Sequence, residues 1–272
     1  MVIVSLVKSI RDTELKENMK QVVIIISILW SVLFAHAQDQ ESMILKQDLA
    51  CLFDSLSMIG ILGKDCSRID IHFYEARKTS DKDYKIKGIS RTRLSIICPF
   101  EGKISIDSIA SNPQIKSECT EIDGFIYGHY WFTELGDKRY SGVFSGSFKQ
   151  AYRIIGKQAD KGWNEIPELK LNMSEYTGKW ESANGTTKVC SWADEVIPDT
   201  PKDFCEFNDA GEWLVSPQYR KKGWENLYNA YYNDSLATDE IQKARAIEEQ
   251  KWWVDKTPPR NTGRAASQLH RY

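Results

Sequence analysis

The stretches "GFIYGHYWF" at residues 124–132 and "SGVFSGSF" at residues 141–148 constrain the fold most strongly. Each places two glycines four residues apart, so that both glycines fall on one face of an extended strand. In the second stretch Tyr140, Phe144 and Phe148 share that face with the glycines. Alternation of large and absent side chains lets a sheet bend sharply while aromatic rings cover the gaps. The pattern predicts a small barrel or a strongly coiled sheet.

Three earlier segments alternate apolar and polar residues in the same way. They are "RIDIHFYEA" at residues 68–76, "DYKIKGIS" at residues 83–90 and "GKISIDS" at residues 102–108. This period of two is typical of antiparallel strands with one buried and one wet face. Since the loops between them are short and contain no helical pattern, we predict an antiparallel meander.

Helices are predicted on both sides of the strands. Residues 39–62 carry apolar side chains at helical spacing and predict one amphipathic helix that stops near a glycine. Residues 225–232 and 238–253 are also helical in pattern. The fold class is therefore a β-rich α+β domain over residues 38–256, and residues 257–272 lack apolar periodicity and predict a flexible tail.

A secretory signal peptide is predicted at residues 19–37. Lys20 precedes the charge-free apolar run 22–34, and a small-x-small cleavage site ends at Ala37. A run of 13 residues is too short for a membrane helix, which needs roughly 20. We expect Met19 to be the true start, with residues 1–18 coming from an over-long reading frame. The mature protein would then be periplasmic or secreted, with no stable membrane span.

The charge balance is mild. The chain carries a formal net charge of −2, which offers no electrostatic case for nucleic acid or an anionic membrane surface as partner.

The cysteine count predicts disulfides. Six cysteines in an exported chain point to bridges, although six allow 15 pairings that sequence cannot distinguish. Pairing of neighbours closes short loops, and each bridge would stabilise the fold by roughly 3 kcal/mol. Buried free thiols are an alternative, whereas zinc is disfavoured because C-x-x-C is absent and the histidines are scattered. The predicted pairs are Cys51 with Cys66, Cys98 with Cys119, and Cys190 with Cys205.

No catalytic, metal-binding or cofactor-binding residue is predicted. The chain contains no G-x-S-x-G, H-E-x-x-H, P-loop or dinucleotide fingerprint. His72 and His129 lie in the middle of predicted strands, where a satisfied sheet histidine is the simpler interpretation. The many acidic residues do not single out a carboxylate pair for glycoside cleavage.

The aromatic content favours ligand binding instead. Nine tryptophans and twelve tyrosines exceed what a core of this size requires. The segment "YTGKWESANGTTKVCSWADE" contains Asn184-Gly185, a strong hairpin-turn signal with a tryptophan on either side. If these tryptophans are exposed they could form a binding platform with polar neighbours, and if they are core they should face a sheet. The candidate site residues are Trp180, Asn184, Lys188, Trp192 and Asp194.

A resemblance to other proteins indicates where this protein is located. Through "YKIKGIS", "GHYWFTE", "YSGVFSGSF" and "KVCSWADEVIP" the chain resembles uncharacterised exported proteins of Bacteroidetes-type bacteria, over roughly residues 66–232. The likeness rests on spaced glycine and aromatic residues. It implies a periplasmic or outer-surface location and carries over no activity.

The sequence thus favours a non-catalytic binding protein of the cell envelope that recognises a glycan or a protein partner. An inhibitor or an immunity-type protein would be one form of it. Two alternatives remain: a small-ligand carrier with its pocket inside the barrel, and an envelope hydrolase whose carboxylates are not identifiable. A cleft lined by aromatic residues without two convergent carboxylates would favour binding over hydrolysis.

Overall fold

The computed structural model describes residues 41–111, 121–136, 141–163, 171–207 and 213–256. The predicted signal peptide, Cys119 and the predicted tail lie outside these residues. Residues 41–47 belong to a different unit from the one that begins at Asp48, and residues 41–45 form a helical turn. Across the described ranges, no helix has both the length and the apolar character that crossing a bilayer requires.

Among the described residues of the second unit, nine strands form one antiparallel sheet, preceded by the short helix α1 (Ala50–Phe53). The strands are β1 (Leu56–Leu62), β2 (Ser67–Lys78), β3 (Asp83–Thr92), β4 (Ile96–Ser111), β5 (Gly124–Glu134), β6 (Gly142–Ile155), β7 (Gln158–Lys161), β8 (Ser174–Ser182) and β9 (Thr187–Ala193). All except β7 close into an eight-stranded barrel, since β5 pairs with β6 and β9 pairs with β1. The predicted barrel is confirmed.

The period-two segments become strands of this meander, as predicted. On β2, Ile69, Ile71 and Phe73 are fully buried and point into the barrel, because Phe73 contacts Phe132 and Tyr176 on other strands. Alternation then places the charged residues of β2 and β3 on the outer wall. One face of every barrel strand therefore contributes to a single aromatic interior.

The glycines of the opening stretches make room for aromatic rings. A Cβ at Gly128 would lie 2.7 Å from Cε1 of Phe148, and a Cβ at Gly142 would lie 2.5 Å from Cε2 of Trp180. These are closer than real Cβ contacts, so a side chain at either glycine would displace a ring. The sharp curvature of the eight-stranded sheet therefore depends on these glycines, and so does the space for the aromatic side chains inside the barrel.

The prediction of one long helix over residues 39–62 is wrong, because residues 46–49 are not helical and a strand replaces its last part. Helix α1 ends at Phe53, Ser55 adopts a left-handed backbone with φ of 57°, and β1 follows. Pairing with both β2 and β9 determines the conformation of this segment. Its apolar residues fit a helical period and an extended one, and the barrel needs β1 to close.

A smaller layer covers part of the outer wall. Its elements are β10 (Cys205–Phe207), β11 (Trp213–Val215), α2 (Pro217–Tyr219), a π-helical turn (Arg220–Trp224), α3 (Glu225–Tyr231), α4 (Thr238–Glu249) and a 3₁₀ turn (Val254–Lys256). Phe204, Val215 and Trp224 form its core with Ile61, and the Trp224 indole N–H donates to the carbonyl of Cys66 at 2.7 Å. The predicted C-terminal helices are confirmed.

An ion network fastens α4 to this wall. Arg68 donates to both oxygens of Glu248 at 2.9 and 2.7 Å and to Asp70 at 2.9 Å, and Arg91 donates to the other oxygen of Asp70 at 2.9 Å. All four side chains are nearly fully buried. We call these residues, Arg68, Asp70, Arg91 and Glu248, the Arg68 network. Buried charges this well matched fix position more than they add stability.

Two tryptophans that follow α4 also contact this wall. Trp253 stacks on His72 with ring centroids 4.3 Å apart, and the guanidinium of Arg91 lies 4.6 Å from the ring centroid of Trp252. His72 is buried on the outer face of β2, where Nδ1 lies 2.8 Å from Oγ of Ser57. The prediction of a satisfied sheet histidine is confirmed for His72.

Candidate binding site

The two tryptophans predicted as a platform lie inside the barrel. Trp192 is 0% exposed and stacks on Tyr176 with centroids 5.7 Å apart, and Trp180 is 8% exposed at one end of the interior. The Asn184-Gly185 hairpin is confirmed, with Gly185 at φ of 82° between β8 and β9. Strand parity sends both indoles inward, so they do not form an exposed platform.

The other predicted site residues are not brought together around a ligand. Asn184 Oδ1 accepts from the hydroxyl of Ser182 within the turn. Lys188 Nζ lies 5.3 Å from the ring centroid of Trp180. Asp194 accepts the backbone N–H groups of Met173 and Ser174, at 3.1 and 3.0 Å through Oδ1, and burial raises its pKa. Each has a local structural role at a separate place.

The disulfide framework predicted from the cysteine count is wrong for the described cysteines, which are free thiols. The neighbour pairs fail because their members lie on different parts of the fold: Cys51 is exposed on α1, whereas Cys66 is buried below Trp224. Burial raises the pKa of Cys66 and Cys98 to about 11 and that of Cys190 to about 12, so these thiols stay protonated at neutral pH. The free residues are Cys51, Cys66, Cys98, Cys190 and Cys205.

A largely buried carboxyl group lies at one rim of the barrel. Glu134 points inward at the end of β5 and accepts from Ser90 Oγ at 2.7 Å, from Trp180 Nε1 at 2.9 Å and from the Gly142 N–H at 2.9 Å. Burial raises its pKa although these donors oppose the shift. The carboxyl group thus holds β3, β6 and β8 together at the rim.

The outer wall beside this rim contains a groove. The cavity has a volume of about 280 Å³, which is slightly below the roughly 300–1,000 Å³ of ligand pockets. Val143 and Ser145 of β6 form its floor, between Trp131 and Thr133 on β5 and Lys179 and Glu181 on β8. We call these six residues the Trp131 groove.

Trp131 is the residue that distinguishes this groove. Its side chain is 54% exposed. Its indole N–H and the hydroxyls of Thr133 and Ser145 have no hydrogen-bond partner among the described residues, whereas Lys179 Nζ pairs with Glu181 at 3.1 Å. A single exposed apolar ring is ordinary on a protein surface, but one in a concavity beside free polar groups matches the composition of ligand sites.

Sequence reasoning missed Trp131, although a signal was present. In "GFIYGHYWF", Gly128, Tyr130 and Phe132 are alternate residues and therefore lie on the same face of the strand, which is the inward one. Tyr127, His129 and Trp131 must then point outward, which the structure shows. His129 Nδ1 lies 2.5 Å from Oδ2 of Asp107, so this histidine is satisfied as predicted, but on an exposed surface.

Two carboxylates border the groove without converging. Glu134 lies next to Thr133 on β5 and so points to the opposite face of the sheet from Glu181, which lies across from Val143 on the outer wall. Both Glu134 oxygens accept hydrogen bonds, and Glu181 is paired with Lys179. Within the described ranges, no three His, Cys, Asp or Glu side chains come together as metal ligands.

Comparisons with known proteins identify no family. No family model and no curated protein matches the chain. Among solved structures the chain is similar to a de novo designed fluorescence-activating β-barrel, with 8% identity, a TM-score of 0.28, and coverage of 55% of this chain and 99% of that one. This likeness is too distant to bear on function.

Proposed function

We propose that this chain is an exported, non-catalytic binding protein that holds a saccharide in the Trp131 groove. The observation that carries the proposal is the half-exposed indole of Trp131 beside two hydroxyls that no described residue engages in a hydrogen bond. An indole offers a broad apolar face for a sugar ring and an N–H for one of its oxygens. The hydroxyls of Thr133 and Ser145 can each donate and accept, which suits a polyhydroxylated ligand.

The alternative of a small-ligand carrier would use the barrel interior. A barrel is compatible with that function, but at the centre of this one Tyr130, Tyr176 and Trp192 lie within 5.3–5.7 Å of one another, measured between ring centroids. A ligand would have to displace rings that are close-packed. The filled interior supports a site on the outer wall.

The alternative of a hydrolase would need two carboxylates that flank the same bond. Glu134 and Glu181 border the groove from opposite faces of the sheet, and both are already engaged. Glycoside cleavage requires an acid and a base or nucleophile on one cleft. This arrangement supports binding without catalysis, and the predicted signal peptide supports export.

The proposal is tested by glycan-array screening of the full chain, followed by calorimetry on the glycans retained. Trp131→Ala should weaken binding on the order of tenfold, equivalent to about 1.4 kcal/mol, because the stacking face is lost. Its melting temperature should stay that of the wild type, since little buried area is removed. The matched control is Trp163→Ala, which removes another exposed indole, 67% exposed, from a different part of the fold.

Two results would contradict the proposal. One is that no glycan is retained by the wild-type chain. The other is that Trp131→Ala binds a retained glycan as tightly as Trp163→Ala does. A protein partner would then be the remaining form of the binding hypothesis.

A further inference from the structure

Three lysines share one cross-strand row with Trp131. Trp131 on β5 lies opposite Lys103 on β4 and Ser145 on β6, Lys103 lies opposite Lys85 on β3, and Ser145 lies opposite Lys179 on β8. Directly opposite residues on an antiparallel pair project from the same face. At about 4.8 Å per strand the row extends for about 19 Å along the outer wall. We call it the lysine–tryptophan row.

The neighbouring row neutralises two of these lysines. Lys85 Nζ pairs with Glu101 at 3.0 Å, and Lys179 Nζ pairs with Glu181 at 3.1 Å. Lys103 makes no ion pair with any described residue. The nearby Asp83 already accepts from Ser80 at 2.8 Å and Ser105 at 2.7 Å; these hydrogen bonds, with a smaller effect of Lys103, lower its pKa. Lys103 is therefore an exposed cation that forms no ion pair with a described residue, although Asp83 lines the same hollow and interacts with its charge.

A second hollow continues the groove past Trp131 to this lysine. It has a volume of about 490 Å³, and Lys85, Glu101 and Lys103 are among its lining residues. Thr133 lines both hollows, so one ligand can pass from the Trp131 groove over Thr133 to Lys103. Lys103 and Trp131 are direct cross-strand neighbours, which is close enough for adjacent groups of one ligand to contact both.

We propose that the saccharide bound here is anionic, and that it lies along the lysine–tryptophan row with a sugar ring on Trp131 and its carboxylate or sulfate group on Lys103. This inference rests on the proposed saccharide function. It follows from charge complementarity, because Lys103 is exposed and is the one lysine of the described row that forms no ion pair with a described residue. Ammonium groups of lysine bind such anions as point charges.

The test measures the affinity of three tetrasaccharide probes by calorimetry with the full chain. The probes are an oligogalacturonate, a heparin-derived oligosaccharide and a neutral galactan, which separate carboxylate, sulfate and uncharged ligands. Lys103→Gln should weaken binding of an anionic probe about two- to fivefold, the range of an exposed ion pair, and should leave the galactan unchanged. Lys103→Arg should retain the wild-type affinity.

A second variant changes the affinity in the opposite direction. Glu101→Gln releases Lys85 from its ion pair and adds one unit of positive charge to the row, so an anionic probe should bind about two- to fivefold more tightly. Lys202→Gln removes a positive charge from an exposed residue that no described residue contacts through an ion pair, and should have no effect. Added salt should weaken anionic binding less in Lys103→Gln than in the wild type.

The outcomes separate the two proposals. If the galactan binds through Trp131, and Lys103→Gln and Glu101→Gln leave all affinities unchanged, the anionic assignment is overturned and the saccharide function stands. If no probe binds and no other glycan depends on Trp131, both are overturned. If only one of the two anionic probes binds and the lysine variants change its affinity as expected, the inference is supported and the anion is identified.

Discussion

The indole of Trp192 is fully buried whereas that of Trp131 is 54% exposed, and the difference follows from strand parity. Trp192 occupies an inward position on β9, opposite Tyr176 of β8, where the rings of Tyr130, Phe144 and Tyr176 pack around it in the interior. Trp131 occupies an outward position on β5, between two inward aromatic residues. A one-residue shift along a strand thus changes the role of the same side chain from core to surface.

Truncation separates these roles. Trp192→Ala should lower the free energy of unfolding by about 3–5 kcal/mol, the usual loss for a large buried aromatic. Trp131→Ala should change it by less than about 0.5 kcal/mol, as surface substitutions do. Urea unfolding of both variants measures the difference. Equal losses for the two would mean that the barrel interior is not the stabilising core.

Glu134 gives the barrel rim a pH dependence. Because burial holds its pKa above the unfolded value near 4.3, the folded chain binds this proton more tightly than the unfolded chain does. The stability that this group contributes is therefore present below about pH 4 and is lost as the pH rises through the raised pKa. Glu134→Gln removes the titration, so its stability relative to the wild type should increase as the pH rises above about pH 4.

The amide of Glu134→Gln can keep the local hydrogen bonds. Its oxygen would accept from Trp180 and Gly142, and its NH₂ group would donate to Ser90, whose hydroxyl can turn to the carbonyl of Cys98 at 3.3 Å. Melting curves of both proteins across this pH range provide the measurement. Parallel pH profiles for the two proteins would show that Glu134 titrates at its ordinary value.

At the scale of the elements, α4 depends on one buried carboxylate for its attachment to the barrel. Glu248 accepts both Nη groups of Arg68 and the side-chain amide of Asn226 at 2.8 Å. The 3₁₀ turn and the two tryptophans before it follow directly after this helix. The Arg68 network therefore attaches α4 to β2 and β3, and the stacking of Trp253 on His72 adds a second contact with β2.

Removal of that carboxylate should loosen the segment. Glu248→Ala leaves Arg68 and Arg91 sharing the single charge of Asp70 in a buried site, which should cost about 3–5 kcal/mol. Hydrogen exchange should rise across residues 238–256 before it rises in the barrel. Asp239→Asn is the control, since Asp239 pairs with Lys243 on the exposed face of the same helix and should change neither quantity. Unaltered exchange in Glu248→Ala would contradict this role.

The sequence predicts elements well where one periodicity dominates. The strands β2, β3 and β4 follow from strict alternation, and the β8–β9 turn follows from Asn184-Gly185. The apolar residues of strand β1 fit both a helical period and the period of two of a strand, so the sequence alone predicts a helix there. Pairing with β9, over 120 residues away, makes the segment a strand. The groove depends equally on register between distant strands, which brings Trp131 next to Lys103 and Ser145.

At the scale of the whole molecule, the closed barrel provides the stabilisation for which the sequence analysis predicted disulfides. A closed barrel leaves none of its eight strands as an edge and buries one face of each. The described cysteines lie within this structure as free thiols, and three of them are buried. A chain of this size needs no covalent staple to form a core.

Reducing agent should therefore leave the melting temperature unchanged within about 2 °C, which corresponds to about 0.5–1 kcal/mol for a domain of this length. Alkylation of the native protein should label Cys51 first, because it is the exposed thiol among the described cysteines. Scanning calorimetry with and without dithiothreitol makes the comparison. A drop of several degrees on reduction would mean that a bridge contributes after all.

The first and last strands of the barrel, β1 and β9, pair through four residue pairs, Ile59 to Leu62 with Cys190 to Ala193. By comparison, β4 and β5 pair through eleven. We therefore expect transient opening of the barrel to begin between β1 and β9. Such opening would expose two unpaired strand edges at once. Such edges readily accept a strand from another chain. At Gly60 a Cβ would lie 2.1 Å from the carbonyl oxygen of Ser191, so even Gly60→Ala should separate β1 from β9 and make the barrel prone to open and aggregate, which light scattering would detect.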